Sequence, residues 1–280
     1  MSSRQSGYAL LIVLWTIGFL ALLGTRLIAA SRSAAQLADN LKQEAVLQAA
    51  ADGAVARAMF AIQAARDPAF RPDGVERAVR IGQTPVLLWI SNEYDRINLN
   101  TASLALLRSL LIAVGVEPAR AAALAAAILD WRVAGLAARR SGAEAPEYQA
   151  AGLGYAPPGA PFQSVDELRD VLGMTPALFA RLEPHVTVLT DSDPDLSTRD
   201  PVVALALTDA AGVTDNISGG QPGLDTIMRI TVTAVGTGTA RYAEVVVASA
   251  DFQSQPPRVA ILARQRVTPS AGVMGVAGSF

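Results

Sequence analysis

The 280-residue chain has no cysteine, a single histidine and only 5% aromatic residues. Without cysteine there is no disulfide, no thiolate nucleophile and none of the usual zinc sites. The one histidine, His185, follows Pro184 and has no serine or cysteine partner nearby in sequence, so a structural or surface role is expected for it. Charge is scarce as well, at 17% of residues with a net of −2, and no bulk attraction to nucleic acid follows. Glycine-rich chemistry is also lacking. GTGTAR at Gly236 to Arg241 joins two strand patterns rather than a strand and a helix, so it reads as a hairpin turn. Ser218-Gly219-Gly220 lacks the surroundings of a nucleophile elbow. No constellation argues for catalysis.

Charge is missing altogether from Tyr8 to Thr25, YALLIVLWTIGFLALLGT. As a helix rising about 1.5 Å per residue, this run matches a bilayer's hydrocarbon core of about 30 Å. Ahead of it lies the short polar head MSSRQSG, ending in Gly7. A secretory signal peptide would place small residues in an A-x-A-like pattern after its apolar region, whereas Arg26 and Ile28 precede Ala29 and Ala30 here. Arg4 precedes the run while Arg26 and Arg32 follow it, so the distribution of basic residues sets no clear orientation.

From Ala30 to Ala65 helix formers dominate, and Leu37, Leu41, Ala45, Ala51, Val55, Met59 and Ile62 recur mostly at spacings of three or four. That face is expected to pack on a globular body. Asp67-Pro68 ends the pattern. A hairpin of Ala78–Gly82 and Val86–Ser91 follows, with its turn across Gly82 to Pro85.

Ile97 to Arg132, INLNTASLALLRSLLIAVGVEPARAAALAAAILDWR, reads as two helices: Thr101 or Asn100 caps the first, Gly115 stops it and Pro118 opens the second. A related half begins at Ser164, SVDELRDVLGMTPALFARLEPHVTVL, with a capping-box pair Ser164/Glu167, a break at Gly173 and a restart at Pro176. The two units resemble tandem helix-hairpin-helix repeats, which raises a membrane-tethered DNA-uptake receptor as the alternative function. Phosphate-binding hairpins read glycine, apolar, glycine in the turn; here the turns are Gly115-Val116-Glu117 and Gly173-Met174-Thr175. Glu117, Asp166, Glu167, Asp170 and Glu183 add negative charge where phosphate would sit. The repeats therefore read as scaffold, and no nucleic-acid partner is expected. Between them, Gly142 to Gln163 reads as a Gly/Pro-rich loop. After Val186–Thr190, strand patterns recur at Met228–Ala234, Tyr242–Ala248 and Val259–Gln265.

A basic leader ending in Gly7, followed by Tyr8 and an apolar run that passes into a long amphipathic helix, resembles the class III signal of type IV pilins and type II secretion pseudopilins. Most of those proteins carry glutamate five residues into the mature chain; Ile12 stands there in this one. Among pseudopilins that absence resembles general secretion pathway protein K, and so does the order INLNTA, LDW, GAE with a nearby tyrosine, then SVDELRDVLGMTP. The resemblance covers roughly residues 1–189. It implies cleavage by a prepilin peptidase between Gly7 and Tyr8, N-methylation of Tyr8, and a place at the filament tip marked by Ile12. Inner-membrane anchoring, a periplasmic head and partner subunits I and J, with H as a further candidate, are also implied.

The fold expected is α+β: a long N-terminal membrane and stalk helix on an antiparallel pilin-like sheet, with an inserted all-α domain of helix-hairpin-helix or SAM-like type. The expected divisions are leader 1–7, N-terminal helix 8–66 with membrane part 8–25, first head segment 67–96, helical insert 97–184, second head segment 185–268 and tail 269–280. One chemical site is expected beyond the leader. Asp191, Asp193, Asp195 and Asp200 crowd one loop, with Asp209, Asp215 and Asn216 in the next, and such oxygen ligands suit calcium. Leu196 and Val202 stand where an EF-hand needs glycine and glutamate. A solvated turn-rich loop explains the same residues, and the family resemblance, which implies calcium in the head, favours the metal. Glu144 and Glu147 are alternative ligands.

Overall fold

The computed structural model describes residues 4–64, 70–133, 145–212, 225–251, 254 and 258–268. α1 (Arg4–Ala64) is one unbroken helix of 61 residues, about 90 Å long at 1.5 Å per residue. Proline is absent from it, and its only breakers are scattered glycines. Over residues 11–26 every side chain is exposed, including Trp15 at 73%. Apolar side chains so presented have no place in water, and a bilayer is the solvent that suits them.

An 18-residue window within Arg32–Ile62 is also apolar, with a mean hydropathy of 1.3, but part of it is buried within the protein. Its apolarity has a different origin. Leu47, Ala50, Ala51, Ala54, Val55, Ala58 and Ala61 are small or medium residues that let the helix lie close on a sheet. At Gly53 a Cβ would meet Ile81 Cγ2 at 3.0 Å, so the glycine allows a close approach. The repeat expected to dock as a whole docks only in its second half: Leu37 and Leu41 remain 60% and 58% exposed, because the sheet begins farther along the helix.

The sheet has five antiparallel strands in the order β1 (Glu76–Ile81), β2 (Thr84–Asn92), β5 (Asp225–Val235), β6 (Arg241–Asp251), β7 (Arg258–Val267). A two-residue turn, Gly82-Gln83, joins β1 to β2, with Gly82 at φ +58° as a tight hairpin requires. Alternation puts Val86, Leu88 and Ile90 of β2 and Met228, Ile230, Val232 and Ala234 of β5 under α1. At the far edge, Arg266 binds Glu44 of α1 at 2.6 Å, and Arg264 bridges Asp52 of α1 to buried Glu244.

Between β2 and β5 the chain builds a second body. β3 (Ile97–Asn98) and β4 (Val186–Thr187) pair in parallel, and a parallel pair needs a crossover. That crossover contains α2 (Leu104–Ala113), α3 (Pro118–Arg132), α4 (Ala145–Ala150), a 3-10 turn at Val165–Asp170 and α5 (Pro176–Leu182). α6 (Pro201–Ala211) then packs back: its Val203, Ala206, Leu207 and Ala210 are fully buried in the helical core. The helical core therefore runs past residue 184, into a segment that the sequence pattern assigns to the head. Neither α6 nor α4, which lies inside the stretch read as loop, is signalled by that pattern. The tail beyond 268 lies outside the described residues.

Candidate functional site: the junction of head and helical body

The helix-hairpin-helix turns come first, because they decide the rival reading. Ser103 caps α2 by accepting the Leu106 N–H at 3.1 Å, later in the chain than the expected Thr101 or Asn100. The helix ends with Gly115 at φ +86°, where the Gly115 and Val116 N–H groups return to the Ile112 and Leu111 carbonyls. Glycine is needed at such a stop. The Glu117 carboxylate then accepts the Ala119 and Arg120 N–H groups at 3.0 and 3.1 Å. The amides that would cradle a phosphate already hold a carboxylate.

The nearby cations are engaged as well. Arg120 of α3 donates to the Gly173 carbonyl at 3.1 Å, and Arg181 of α5 donates to the Val114 carbonyl at 2.8 Å. Each hairpin thus lends an arginine to the turn of the other. At the second turn Thr175 caps α5 through the Leu178 N–H at 3.3 Å. The pseudo-repeat is a cross-braced scaffold.

INLNTA is equally structural. Asn98 donates to the Thr190 carbonyl and accepts the Asn100 N–H at 2.7 Å. Asn100 reads the Phe162 backbone in both directions, accepting its N–H at 2.8 Å and donating to its carbonyl at 3.0 Å. Arg132 donates to the Leu99 and Ala102 carbonyls. Trp131 of LDW stacks on Phe162 with centroids 6.1 Å apart, and the hydroxyl of buried Tyr148 accepts the Leu172 N–H at 3.0 Å. Glu167 draws the Gln163 and Ser164 N–H groups onto one carboxylate oxygen. These motifs, separate in sequence, close one core.

What ties that core to the sheet is Glu93, which is 0% exposed. It sits in a 3-10 turn just past β2, and its carboxylate accepts Arg229 Nε at 2.8 Å, Arg229 Nη2 at 2.7 Å and Thr187 Oγ1 at 2.7 Å. Arg229 belongs to β5 of the sheet and Thr187 to β4 of the helical body, so one carboxylate grips both. Burial pushes its pKa up, but the Arg229 hydrogen bonds and charge outweigh that and hold it below the usual carboxylate range. Arg96 adds a donor to the Pro184 carbonyl at 2.6 Å. Sequence reading passes over Glu93, Arg229 and Thr187, since nothing in their local pattern distinguishes them from surface polar residues.

Direction matters for what the junction can do. Beside α1 residues Asp39 to Leu47 lie Gln83, Thr84, Gly236 and Thr237, the sheet ends nearer the membrane segment. β2 runs from Thr84 to Asn92, about 27 Å at 3.3 Å per residue, and the helical body departs from its far end. A cleft of about 470 Å³ there is lined by Trp89, Asp95, Arg96, His185, Arg199 and Asp200, among others.

The expected site residues are dispersed. Gly7 and Tyr8 fall within the helical span of α1, and Ile12 is half exposed on it. Asp191 accepts the Tyr94 hydroxyl at 3.0 Å; Asp193 accepts Thr101 Oγ1 at 3.1 Å and the Asn98 N–H at 3.3 Å; Asp195 accepts the Ser197 N–H at 2.8 Å. Asp200 caps α6 through the Val202 and Val203 N–H groups, and its other oxygen lies 2.5 Å from His185 Nδ1. Among the described residues no three acidic or histidine side chains converge as metal ligands. Asp209 instead accepts the Ser109 hydroxyl at 2.6 Å. Asp215, Asn216 and Glu144 lie outside the described residues.

Residues 88–191 match the family model described as type II secretion system (T2SS), protein K. A curated relative, type II secretion system protein K of Klebsiella pneumoniae, is 43% identical over 82 residues. That match covers 29% of this chain and only a quarter, 25%, of the relative's length. A chain of the crystal structure of the GspK-GspI-GspJ complex from the enterotoxigenic Escherichia coli type 2 secretion system superposes with a TM-score of 0.58 at 15% identity. The superposition covers 85% of this chain and 99% of the other, and the two share the α+β fold over that span.

Proposed function

We propose that this chain, whose residues 88–191 match the protein K family of type II secretion systems, is a minor pseudopilin of that family that caps the pseudopilus and helps start its assembly. The observation that carries this reading is where the helical body is attached. It grows from the sheet's far end, away from the membrane segment, and Glu93 joins its β4 to β5 of the sheet. A subunit stacking from beyond would meet this body. Growth of the filament proceeds only from the other side.

The role is structural, with no reaction catalysed. Tyr8 to Thr25 anchors the chain once in the inner membrane, with the head in the periplasm. The leader is removed after Gly7 and the new amine of Tyr8 is methylated. Ile12 removes the carboxylate with which a mid-filament subunit would meet a neighbour's amine, and a carboxylate without that partner would be costly in hydrocarbon. The exposed Leu37 and Leu41 on the undocked half of α1 are suited to pack against the N-terminal helices of subunits I and J. DNA uptake is not favoured, because Glu117 holds the amides such a module needs.

The test is co-expression of the tagged full-length chain with I, J and the prepilin peptidase of its own system. Affinity recovery from detergent-solubilised membranes is expected to bring down I and J together, with a K subunit whose intact mass starts at a methylated Tyr8. Recovery of a folded chain that retains Met1 or Ser2 and brings neither partner would refute the assignment.

A further inference from the structure

A protein K fold raises the expectation of calcium in the head, and the acidic loop from Asp191 to Asp200 is where the sequence puts it. Its side chains do not fit that ion. Calcium takes six to eight oxygen ligands at about 2.3–2.6 Å, converging on one point. Here each carboxylate faces a donor supplied by the protein, and the donors come from different elements. Tyr94 serves Asp191; Asn98 and Thr101, just ahead of α2, serve Asp193; Ser197 serves Asp195; His185 and the first turn of α6 serve Asp200. Turned to these separate donors, the carboxylates do not converge: among the described residues no three acidic or histidine side chains come together as ligands. The imidazole of His185 occupies the Asp200 oxygen that the helix cap leaves over.

The loop is also tied down without a metal. Thr190 Oγ1 donates to the Ser192 carbonyl at 3.1 Å, Thr198 Oγ1 donates to the Asp95 carbonyl at 3.0 Å, and Arg199 reaches the Pro72 carbonyl at 2.9 Å. Asn98, at the start of the helical body, holds the Thr190 carbonyl. Such bonds do for a loop what a bound ion does elsewhere: they fix backbone carbonyls and carboxylates in one arrangement. From these contacts we infer that the Asp191–Asp200 loop of this chain is pinned by protein donors in place of calcium. The junction it borders therefore holds its shape in calcium-free medium.

The experiment is thermal unfolding of the full chain in detergent, in EGTA and in millimolar calcium, for the parent and for Asp193→Asn/Asp195→Asn. Either of two outcomes supports the inference: no calcium-dependent shift, or a shift that persists in the double variant, which places any ion elsewhere. A calcium-dependent rise of more than about 3 °C, the scale expected for a saturating ligand, that disappears in the double variant would overturn it. Thr101→Val, which removes a donor to Asp193, is expected to lower the midpoint equally in both media. A loss rescued by calcium would also count against the inference.

Discussion

Glu93→Gln is the perturbation that most directly probes the junction. The native carboxylate is fully buried and accepts three hydrogen bonds of 2.7–2.8 Å, two from Arg229 and one from Thr187. A glutamine keeps the shape but removes the charge, and its amide NH2 confronts donors on one side. Removing one partner of a buried pair costs about 3–5 kcal/mol, and because Gln retains an acceptor oxygen the lower end applies, about 3 kcal/mol. At roughly 2–4 °C per kcal/mol for a folded body of this size, the midpoint falls by about 6–12 °C. Circular dichroism melts of the detergent-solubilised full chain read this directly. Amide exchange adds location: protection is expected to drop first at Ile97, Asn98, Val186 and Thr187, the β3–β4 ladder. Replacing both partners, as Glu93→Met/Arg229→Met, removes the Arg229 charge together with the carboxylate and leaves Arg96, which lies 3.6 Å from Glu93 Oε2, to Asp95 and Asp200; it is expected to cost less than Glu93→Gln alone. A single variant melting within about 2 °C of the parent, or a double variant whose loss is the sum of two large ones, would refute the reasoning.

Acid is expected to loosen the same junction. Glu93 and Asp73 both have folded pKa values below their ordinary ones, Asp73 at about 2 through Arg77. Their contribution is complete above the unfolded values, near 4, and is lost as pH falls through the lower folded values, so melting midpoints should decline from about pH 4 toward pH 2. Tyr148→Phe strips the acceptor from the partly buried Leu172 N–H and is expected to cost about 1 kcal/mol by denaturant unfolding. Leu110→Ala, at a position 1% exposed in the helical core, is expected to cost about 2–5 kcal/mol in the same assay. Gly115→Ala forces a side chain into φ +86°, with Arg181 Nη1 only 3.3 Å from the new Cβ. About 1–2 kcal/mol of strain follows, seen as a lower midpoint without loss of helix content.

What could be read from the chain before it folds are the parts whose signal is local. An uncharged run from Tyr8 to Thr25, alternating Met228–Ala234, the stops at Gly115 and Gly173 and the openings at Pro118 and Pro176 each follow from backbone chemistry within a few residues. The strands of the five-stranded sheet, the hairpin turn and helices α2, α3 and α5 were therefore legible, and so was the α+β class; the short strand β3 was not, and the helix expected after Ser164 is only a 3-10 turn. Which half of α1 docks was left to the assembled molecule, because Leu37 and Val55 belong to the same repeat of threes and fours until a sheet lies beneath one of them; Val55 is buried and Leu37 is not. Packing likewise settled that α6 joins the helical core. The acidic loop shows the limit most clearly. Asp191, Asp193, Asp195 and Asp200 are neighbours in sequence, but whether four carboxylates converge on an ion or turn to separate donors depends on groups as distant as Tyr94 and Thr101. Glu93 is the same case in reverse: a residue with no local signal whose partners, Thr187 and Arg229, lie 94 and 136 positions away. Burial and partnership are properties of the fold, and they are set only when the chain has closed.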